Sequence, residues 1–319
     1  MDAWILTHGD TDGLCSGALA LAAHPEARVF FTNPYGLLED LDVVEEASLV
    51  IICDIALSEN HLPQVLEKFK AIEKKGELVY IDHHPLPEGI SRELLPKKTL
   101  HETFCSTAEL SYRFFQSKLD PKYSRVAIYG AIGDYLNHTH FIQKLLEKWD
   151  KRTLYFESGI IIQGIEGRKR DYTLKRGIIS NLARNLPPSF DSKLIELAIE
   201  HSRREEAAVL ELEDKVQMRG NLAYVLNYPF SLGKTALYII RLTNALIGIA
   251  GEDWKGMVDM SLKTRNLKID LNKLLRKICP MLGGSGGGHP SAAGARVPRH
   301  NFERFLDELN EKLALEFSE

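Results

Sequence analysis

Several features that mark special classes of protein are missing from this sequence of 319 residues. Its four cysteines show no CxxC spacing, so reduced thiols in a cytoplasmic protein are the simplest interpretation. No apolar run is long enough to span a membrane, and the N-terminus lacks the charged and apolar regions of a secretion signal. No internal repeat or low-complexity segment stands out. We therefore expect a cytoplasmic protein of globular domains with no membrane partner.

A strong excess of charge of either sign is also missing. The chain has 40 basic and 44 acidic residues, and this net charge of −4 argues against a general nucleic-acid-binding protein. Several of the negative charges belong to candidate metal ligands, however, and bound cations would reverse the sign locally. The charge of the whole chain therefore decides little about its partners. Its length suggests about two domains, each large enough to bury a core.

The order of predicted strands and helices favours an α/β fold in two domains. In the first half, runs rich in β-branched and aromatic residues alternate with helical patterns, which is typical of a parallel sheet. We expect strands there at 4–7, 28–32, 49–54 and 78–82, and helices at 14–23, 62–74 and 124–136. We predict a catalytic domain over 1–190, a solvated helical linker over 191–220 and a smaller α/β domain over 221–319. The smaller domain should contain strands at 222–226, 236–241 and 257–262, a helix from 270, a glycine loop and a terminal helix from near 301.

Acidic and imidazole side chains form four short clusters in the first 134 residues. Three of the clusters follow a predicted strand, and the carboxyl ends of neighbouring parallel strands meet in one crevice. Four or five carboxylates and two or three imidazoles would then lie together, which requires cations to hold them. Mixed oxygen and nitrogen ligands suit Mn²⁺ or Mg²⁺, with Co²⁺ or Zn²⁺ as substitutes. The clusters contain His8, Asp10 and Asp12; Asp54; Asp82, His83 and His84; and Asp134.

Each cluster taken alone also has a purely structural interpretation. Asp10-Thr11-Asp12-Gly13 fits an ordinary loop in which an aspartate caps the helix that follows. Asp82-His83-His84-Pro85 is compatible with a polar turn closed by proline. Four such clusters in order are much harder to explain without a shared metal site.

Five glycines occur within the six positions 283–288, directly ahead of His289. A flexible hinge is one interpretation of this segment. Bare backbone N–H groups can also approach an anion closely, which would make the segment a phosphate cradle. We favour the cradle, because nearby basic residues fit a polyanionic ligand. The candidate substrate-binding residues are Lys263, Arg265, Gly286, Gly287, Gly288 and His289.

These motifs, in this order, resemble those of the DHH phosphoesterase superfamily. Asp82-His83-His84 and the clusters around it resemble the DHH domain, and residues 283–294 resemble the GGGHxxAAG signature of the associated C-terminal domain. The resemblance extends from residue 8 to residue 294. The compact two-domain chain is more similar to a nanoRNase than to a long RecJ-type exonuclease.

The resemblance implies a role for each ligand. His8, Asp10 and Asp54 would hold one cation. Asp12, Asp54, His83 and Asp134 would hold the other, so that Asp54 bridges the two. His84 would face the substrate phosphate as a hydrogen-bond donor or general acid. Asp82 would orient its neighbours or bind metal itself.

The activity implied is hydrolysis of short single-stranded RNA or DNA from an end, with two Mn²⁺ ions, or Mg²⁺ or Co²⁺ in their place. A single-stranded oligonucleotide or a dinucleotide would be the substrate partner, and a homodimer stays open. Alternative enzymes are a cyclic-dinucleotide phosphodiesterase and a phosphatase for 3′-phosphoadenosine 5′-phosphate. Inorganic pyrophosphatases share the Asp-His-His chemistry but lack the glycine-rich signature. A non-catalytic partner of a replication complex is a hypothesis of another class, which the retained ligands disfavour.

Overall fold

The computed structural model describes residues 2–168 and 170–316. The chain divides into two compact units, with the boundary after His201. The domain predictions 1–190 and 221–319 include residues 1, 169 and 317–319, which lie outside the described residues. None of the helices in the described part of the chain combines the length and the hydrophobicity that a membrane span requires.

The first unit is built on a five-stranded parallel sheet. Its strands are β1 (Ala3–Thr7), β2 (Arg28–Phe31), β3 (Leu49–Cys53), β4 (Glu77–Asp82) and β5 (Lys98–His101). They are ordered β2-β1-β3-β4-β5, and every neighbouring pair is parallel. The central strand β3 is buried at each of its residues, as expected for a strand with helices on both faces. The predicted parallel α/β fold is confirmed.

Helices cover both faces of this sheet. Ile51 of β3 points into one core, with Leu14 and Ile128, and Val50 points into the other, with Phe69. This alternation is the period-two geometry of a strand. The helices are α1 (Thr11–Ala23), α2 (Leu37–Val43), α3 (Leu62–Lys75), α4 (Thr107–Phe115), α5 (Ser124–Gly133), α6 (His140–Leu146), α7 (Lys151–Ile165), α8 (Tyr172–Ala183) and α9 (Ser192–Leu212).

The second unit is built on a six-stranded mixed sheet. Its strands are β6 (Gln217–Arg219), β7 (Leu222–Leu226), β8 (Ile247–Trp254), β9 (Met257–Thr264), β10 (Ser285–His289) and β11 (Ala292–Pro298). Their order is β10-β11-β9-β8-β7-β6; β7 and β8 are parallel, and the other neighbours are antiparallel. The helices are α10 (Leu232–Leu242), α11 (Leu271–Met281) and α12 (Phe302–Glu316). Along β9, buried and half-buried residues alternate, and Val258 shares a core with Leu275 and Phe305.

Two sequence predictions for the second unit are wrong. Residues 236–241, predicted as a strand, lie in α10, where the buried residues Ala236, Ile239 and Ile240 recur at helical spacing. The glycine segment, predicted as a loop, contains the edge strand β10, which pairs with β11. Glycine disfavours strands, but its lack of a side chain allows β10 to lie close to α11. A Cβ atom on Gly286 would lie only 2.8 Å from the Sγ of Cys279.

Helix α9 crosses the boundary between the two units. Leu194 and Ala198 belong to the core of the first unit, and Leu212 to a core of the second. The predicted linker 191–220 is therefore not a wholly solvated connection, and its last residues include β6. The proposed domain limits at 190 and 221 stay predictions.

Candidate metal centre

The turn between β1 and α1 positions His8 and Asp10 at the carboxyl end of the parallel sheet. Asp10 caps α1, because its Oδ1 accepts a hydrogen bond from the Gly13 N–H at 2.9 Å. Its Oδ2 lies 2.8 Å from His8 Nδ1. A Cβ atom on Gly13 would lie 2.4 Å from the carbonyl oxygen of His8, so this turn has no room for a side chain there. The capping role and a ligand role are compatible, since they use different oxygens.

Asp12 is fully buried in the first turn of α1. Its two carboxylate oxygens accept hydrogen bonds from the backbone N–H groups of Thr107 and Ala108, at 2.6 and 2.9 Å. The first N–H groups of a helix have no acceptor within the helix, so the start of α4 stabilises this buried charge. His83 Nε2 lies 3.9 Å from Asp12 Oδ2.

Asp54 directly follows β3 and lies at the centre of the site. Its φ of +62° is uncommon for a residue other than glycine and turns the chain out of the strand. Oδ1 accepts a hydrogen bond from the Thr107 hydroxyl at 3.1 Å and lies 3.5 Å from His83 Nε2. Oδ2 lies 4.0 Å from His8 Nδ1. Among the described residues, this buried Oδ2 has no hydrogen-bond partner.

The Asp-His-His motif lies where β4 ends. Asp82 accepts hydrogen bonds from the His84 N–H at 3.2 Å and the His84 ring Nδ1 at 2.8 Å. The Tyr80 hydroxyl lies 3.0 Å from Asp82 and shares its one proton between Asp82 and the Ile55 carbonyl oxygen at 2.8 Å. His83 Nδ1 lies 2.9 Å from the carbonyl oxygen of Cys105, to which it donates. That bond fixes the tautomer, so Nε2 is the ring nitrogen of His83 that can bind a metal.

Asp134 is the residue that ends α5. Its Oδ2 lies 3.3 Å from His83 Nε2. Helices α1 and α5 approach closely here, since a Cβ atom on Gly133 would lie 2.7 Å from the Thr11 Cβ. All four predicted clusters therefore converge at the carboxyl end of the parallel sheet.

Within the first unit, the ligand atoms fall into three overlapping groups, and Asp54 belongs to all of them. In each group, the atoms lie within 4.8 Å of one another. The groups are His8, Asp10 and Asp54; Asp12, Asp54 and His83; and Asp54, Asp82 and His84. A buried carboxylate oxygen without a partner, surrounded by oxygen and nitrogen donors, fits a divalent cation. The first group contains the residues of one predicted cation subsite, and the second contains three of the four residues of the other, without Asp134. The assignment of these residues to two cations stays a prediction.

Burial and mutual repulsion perturb the carboxylates of this centre. Burial, followed by the negative charges of Asp10 and Asp12, raises the pKa of Asp54 well above its usual range. Burial also raises the pKa of Asp12. Burial alone would raise the pKa of Asp10 as well, but the adjacent His8 lowers it overall. So many buried carboxylates need cationic compensation to ionise together.

The predicted substrate-binding residues of the second unit lie on neighbouring strands. His289 of β10 and Lys263 of β9 both pair with Ala292 of β11, so the register directs their side chains to the same face. The Gly288 N–H donates to Asn272 Oδ1 at 3.0 Å, which fixes the end of β10 against α11. Arg265 follows β9 directly.

Two family models match separate parts of this chain. Residues 3–134 match the DHH family, N-terminal domain, and residues 234–315 match the DHHA1 domain. The chain belongs to the DHH superfamily. Members of the DHH family are phosphoesterases. No curated protein matches the sequence significantly.

Solved structures share the two-domain DHH and DHHA1 fold. A DHH-domain member of the s1p family of ribosomal proteins has a TM-score of 0.75 and 17% identity, over 98% of this chain and 86% of its own. RecJ from Thermus thermophilus, solved with Mn²⁺, has a TM-score of 0.69 and 17% identity, over 98% of this chain and 52% of its own. The pGpG-specific phosphodiesterase PggH from Vibrio cholerae has a TM-score of 0.59 and 14% identity, over 98% and 99%. Because the sequence identities are this low, the similarity to these structures shows a shared fold and nothing more.

The DHH domain also contains site residues that the sequence did not reveal. Thr107 contacts two predicted ligands, and Tyr80 donates to Asp82. Ser106 and Glu109 have the spacing of a capping box, which signals the start of α4. That local signal does not indicate which carboxylates, distant in sequence, the start of the helix will contact.

Proposed function

We propose that this DHH-superfamily protein is a Mn²⁺-dependent phosphodiesterase that hydrolyses short single-stranded RNA or DNA from an end. The observation that carries the proposal is the position of Asp54. Its Oδ1 faces His83 and its Oδ2 faces His8, so one carboxylate serves two groups of ligand atoms. A carboxylate shared in this way is what a pair of neighbouring cations requires.

Two divalent cations, when bound, would activate water and neutralise charge at the phosphoryl group undergoing displacement. The protein's contribution is to fix the donors beforehand. Asp12 is held by two backbone N–H groups of α4, and Asp10 by the cap of α1. Ligands held in this way need little rearrangement to bind a cation.

Mn²⁺ is the cation that we propose. Carboxylates predominate in the ligand set, but His8 and His83 add imidazole nitrogens. Mg²⁺ prefers oxygen ligands and waters, whereas Mn²⁺ accepts both kinds of donor. The RecJ relative from Thermus thermophilus was solved with Mn²⁺, and also with Mg²⁺, so Mg²⁺ and Co²⁺ are the substitutes to compare.

His84 is the proposed proton donor to the leaving oxygen. Its Nδ1 is 2.8 Å from Asp82 Oδ1, and Asp82 is itself fixed by Tyr80. Burial lowers the pKa of His84, but Asp82 opposes this effect, and the pKa is raised overall. An imidazole oriented through Nδ1 can donate a proton from Nε2.

The DHHA1 domain is the proposed binding site for the nucleotide part of the substrate. His289 and Lys263 lie on the same face of its sheet, and Gly286 and Gly287 have no side chain to cover the backbone, whereas the Gly288 N–H already donates to Asn272. Backbone N–H groups with adjacent cationic side chains suit a phosphate. Two proteins of similar fold support this substrate class: one is the exonuclease RecJ, and the other is PggH, a pGpG-specific phosphodiesterase.

The dinucleotide pGpG is the specific second substrate to test, because PggH aligns along nearly its full length with this chain. A non-catalytic role in a replication complex is disfavoured, since all the predicted ligand positions carry ligand residues and converge. An uncompensated cluster of buried carboxylates would destabilise such a protein without contributing to any function.

The test is a product time course with 5′- or 3′-labelled oligomers of several lengths, in RNA and DNA form. Mn²⁺, Mg²⁺ and EDTA are compared, and pGpG, cyclic dinucleotides and 3′-phosphoadenosine 5′-phosphate are included. We expect Mn²⁺-dependent release of mononucleotides from one end, fastest for short oligomers. Hydrolysis of 3′-phosphoadenosine 5′-phosphate alone, or activity that persists in EDTA, would contradict the proposal.

A further inference from the structure

Thr107 is a buried threonine at the first position of α4. Threonine at a helix start commonly caps the helix through its hydroxyl. Here that task belongs to Ser106, whose hydroxyl accepts a hydrogen bond from the Glu109 N–H at 3.1 Å. The Thr107 hydroxyl is therefore not needed to begin the helix.

The polar groups of Thr107 are directed instead to two different carboxylates. Its N–H donates to Asp12 Oδ2 at 2.6 Å, and its hydroxyl donates to Asp54 Oδ1 at 3.1 Å. With a cation bound, the carboxylate of Asp54 would be ionised and could only accept hydrogen bonds, which agrees with the direction of this contact, from the hydroxyl to Asp54. One residue thus joins two carboxylates that follow two different strands, β1 and β3.

Asp54 has a particular need for such a partner. The terminal torsion of an aspartate is soft, so its carboxylate can rotate unless something holds it. The two oxygens must face different ligand groups at once, and Oδ2 has no hydrogen-bond partner among the described residues. The hydroxyl of Thr107 is therefore the contact that fixes the rotation of this carboxylate.

We propose that Thr107 is a positioning residue of the metal centre, whose hydroxyl holds Asp54 in the orientation that serves both cation subsites. This inference rests on the proposed two-cation function. Groups that hydrogen-bond to metal ligands typically contribute about 10- to 100-fold to metal affinity. The backbone N–H to Asp12 survives any substitution except proline, so a side-chain change isolates the contact with Asp54.

The test measures Mn²⁺ binding by calorimetry on the metal-stripped full chain. Thr107→Val keeps the shape of the side chain and removes the hydroxyl, and Thr107→Ser keeps the hydroxyl. Thr99→Val is the matched control, because Thr99 is also buried and its hydroxyl donates to the carbonyl oxygen of Pro96, outside the metal centre. Thr107→Ala replaces Thr107→Val in the comparison if the valine variant does not fold.

We expect Thr107→Val to weaken Mn²⁺ binding by about 10- to 100-fold, with Thr107→Ser and Thr99→Val close to the unaltered protein. A merely structural threonine would lower the melting temperature in both valine variants and leave Mn²⁺ affinity intact. That outcome would overturn the role of Thr107 while preserving the metal centre. If the unaltered protein binds no Mn²⁺, the proposed function fails, and the inference fails with it.

Discussion

The two sheets of this protein differ in how their strands are buried, and the difference corresponds to the two kinds of site that we propose. In the parallel sheet, β3 is buried at every residue, and its polar neighbour Asp54 lies just beyond its end. In the mixed sheet, β9 alternates between buried and half-buried residues, and Lys263 lies within the strand. A fully covered sheet can present polar groups only at its edges and ends, whereas a half-open sheet can present them along a face.

This difference predicts how each site responds to substitution. The candidate ligands at the end of the parallel sheet lie close together around the buried Asp54, so a single change there should affect every substrate alike. Residues on the face of the mixed sheet are proposed to contribute substrate binding, so the effect of a change there should depend on which substrate is used. The predictions below test this contrast, from the largest expected effect to the smallest.

Replacing Asp54 should have the largest effect. Asp54→Asn is preferable to alanine, because asparagine tolerates the positive φ of this position. We expect turnover to fall at least about 10³-fold on every substrate, because both cation subsites lose their shared anion. Rates in saturating Mn²⁺ are the measurement, and Asp42→Asn, an exposed aspartate paired with Lys68, is the control. A rate near that of the unaltered protein would contradict the assignment of Asp54 to two cation subsites.

The stability of Asp54→Asn, both with and without metal, provides a second prediction. Without metal, Asp54→Asn should melt at the same temperature as the unaltered protein or above it. Burial, followed by repulsion from Asp10 and Asp12, raises the pKa of Asp54, and a neutral amide avoids the cost of a charge at this position. Added Mn²⁺ should stabilise only the unaltered protein, by about 2.7 kcal/mol at a concentration 100 times the Kd. Equal stabilisation of both proteins by Mn²⁺ would contradict a role for Asp54 in binding.

The two histidines of the motif should separate metal binding from chemistry. His84→Ala should lower turnover by about 10²- to 10⁴-fold, the usual contribution of a general acid, with most of the metal retained. His83→Ala should instead reduce the metal content, because Nε2 of His83 lies close to three carboxylates. Metal analysis of the purified variants decides between them, and the reverse order would exchange the two roles.

In the DHHA1 domain, His289→Ala should produce a substrate-dependent loss. We expect cleavage of a nucleotide substrate to fall about 100-fold, because misplacing a substrate by about 1 Å has an effect of that size. A small chromogenic phosphodiester without a nucleoside should be cleaved almost normally. His300→Ala, an exposed histidine of the same domain, is the control. Equal losses of cleavage rate on both substrates would contradict the difference that we expect between the two sheets.

The smallest effect should come from the glycines of the mixed sheet. Gly286→Ala should destabilise the protein by about 1–3 kcal/mol through overpacking, because its Cβ would meet Cys279 Sγ at 2.8 Å and Leu275 Cβ at 3.0 Å. Gly294→Ala should be nearly neutral, since its nearest contact would be 3.7 Å away. Denaturant unfolding measures both. A neutral Gly286→Ala would show that β10 is not closely packed on α11.

The sequence allowed the parallel sheet and its ligands to be predicted because the signals are local. Each of β1, β3 and β4 is a short apolar run, and the ligands follow at its end. The convergence of these ligands then follows from the general behaviour of parallel sheets, whereas the strand order was not predicted. The same reasoning brought His8, Asp54 and His83 to one point without any knowledge of distances, whereas Asp134 ends a helix and was assigned from its motif.

The mixed sheet was harder to predict because its local signals conflict. Ala236 to Ile240 contains β-branched residues typical of strands, but packing on β8 follows the helical spacing. Gly248 and Gly251 weaken the strand signal of β8, which was not predicted, and β10 has the composition of a loop. The contact of Thr107 with Asp54 spans 53 positions, and no local pattern could indicate it.

The composition of β10 has a consequence for the solubility of the protein. An edge strand has a neighbour on one side only, and such edges can act as templates on which other chains assemble into fibres. Many proteins guard their edges with lysine, proline or a bulge. Three consecutive glycines provide a different safeguard, because glycine has a low strand propensity and loses much conformational freedom when it is ordered. The glycine-rich strand proposed to bind an anion is thus also a poor template for amyloid growth.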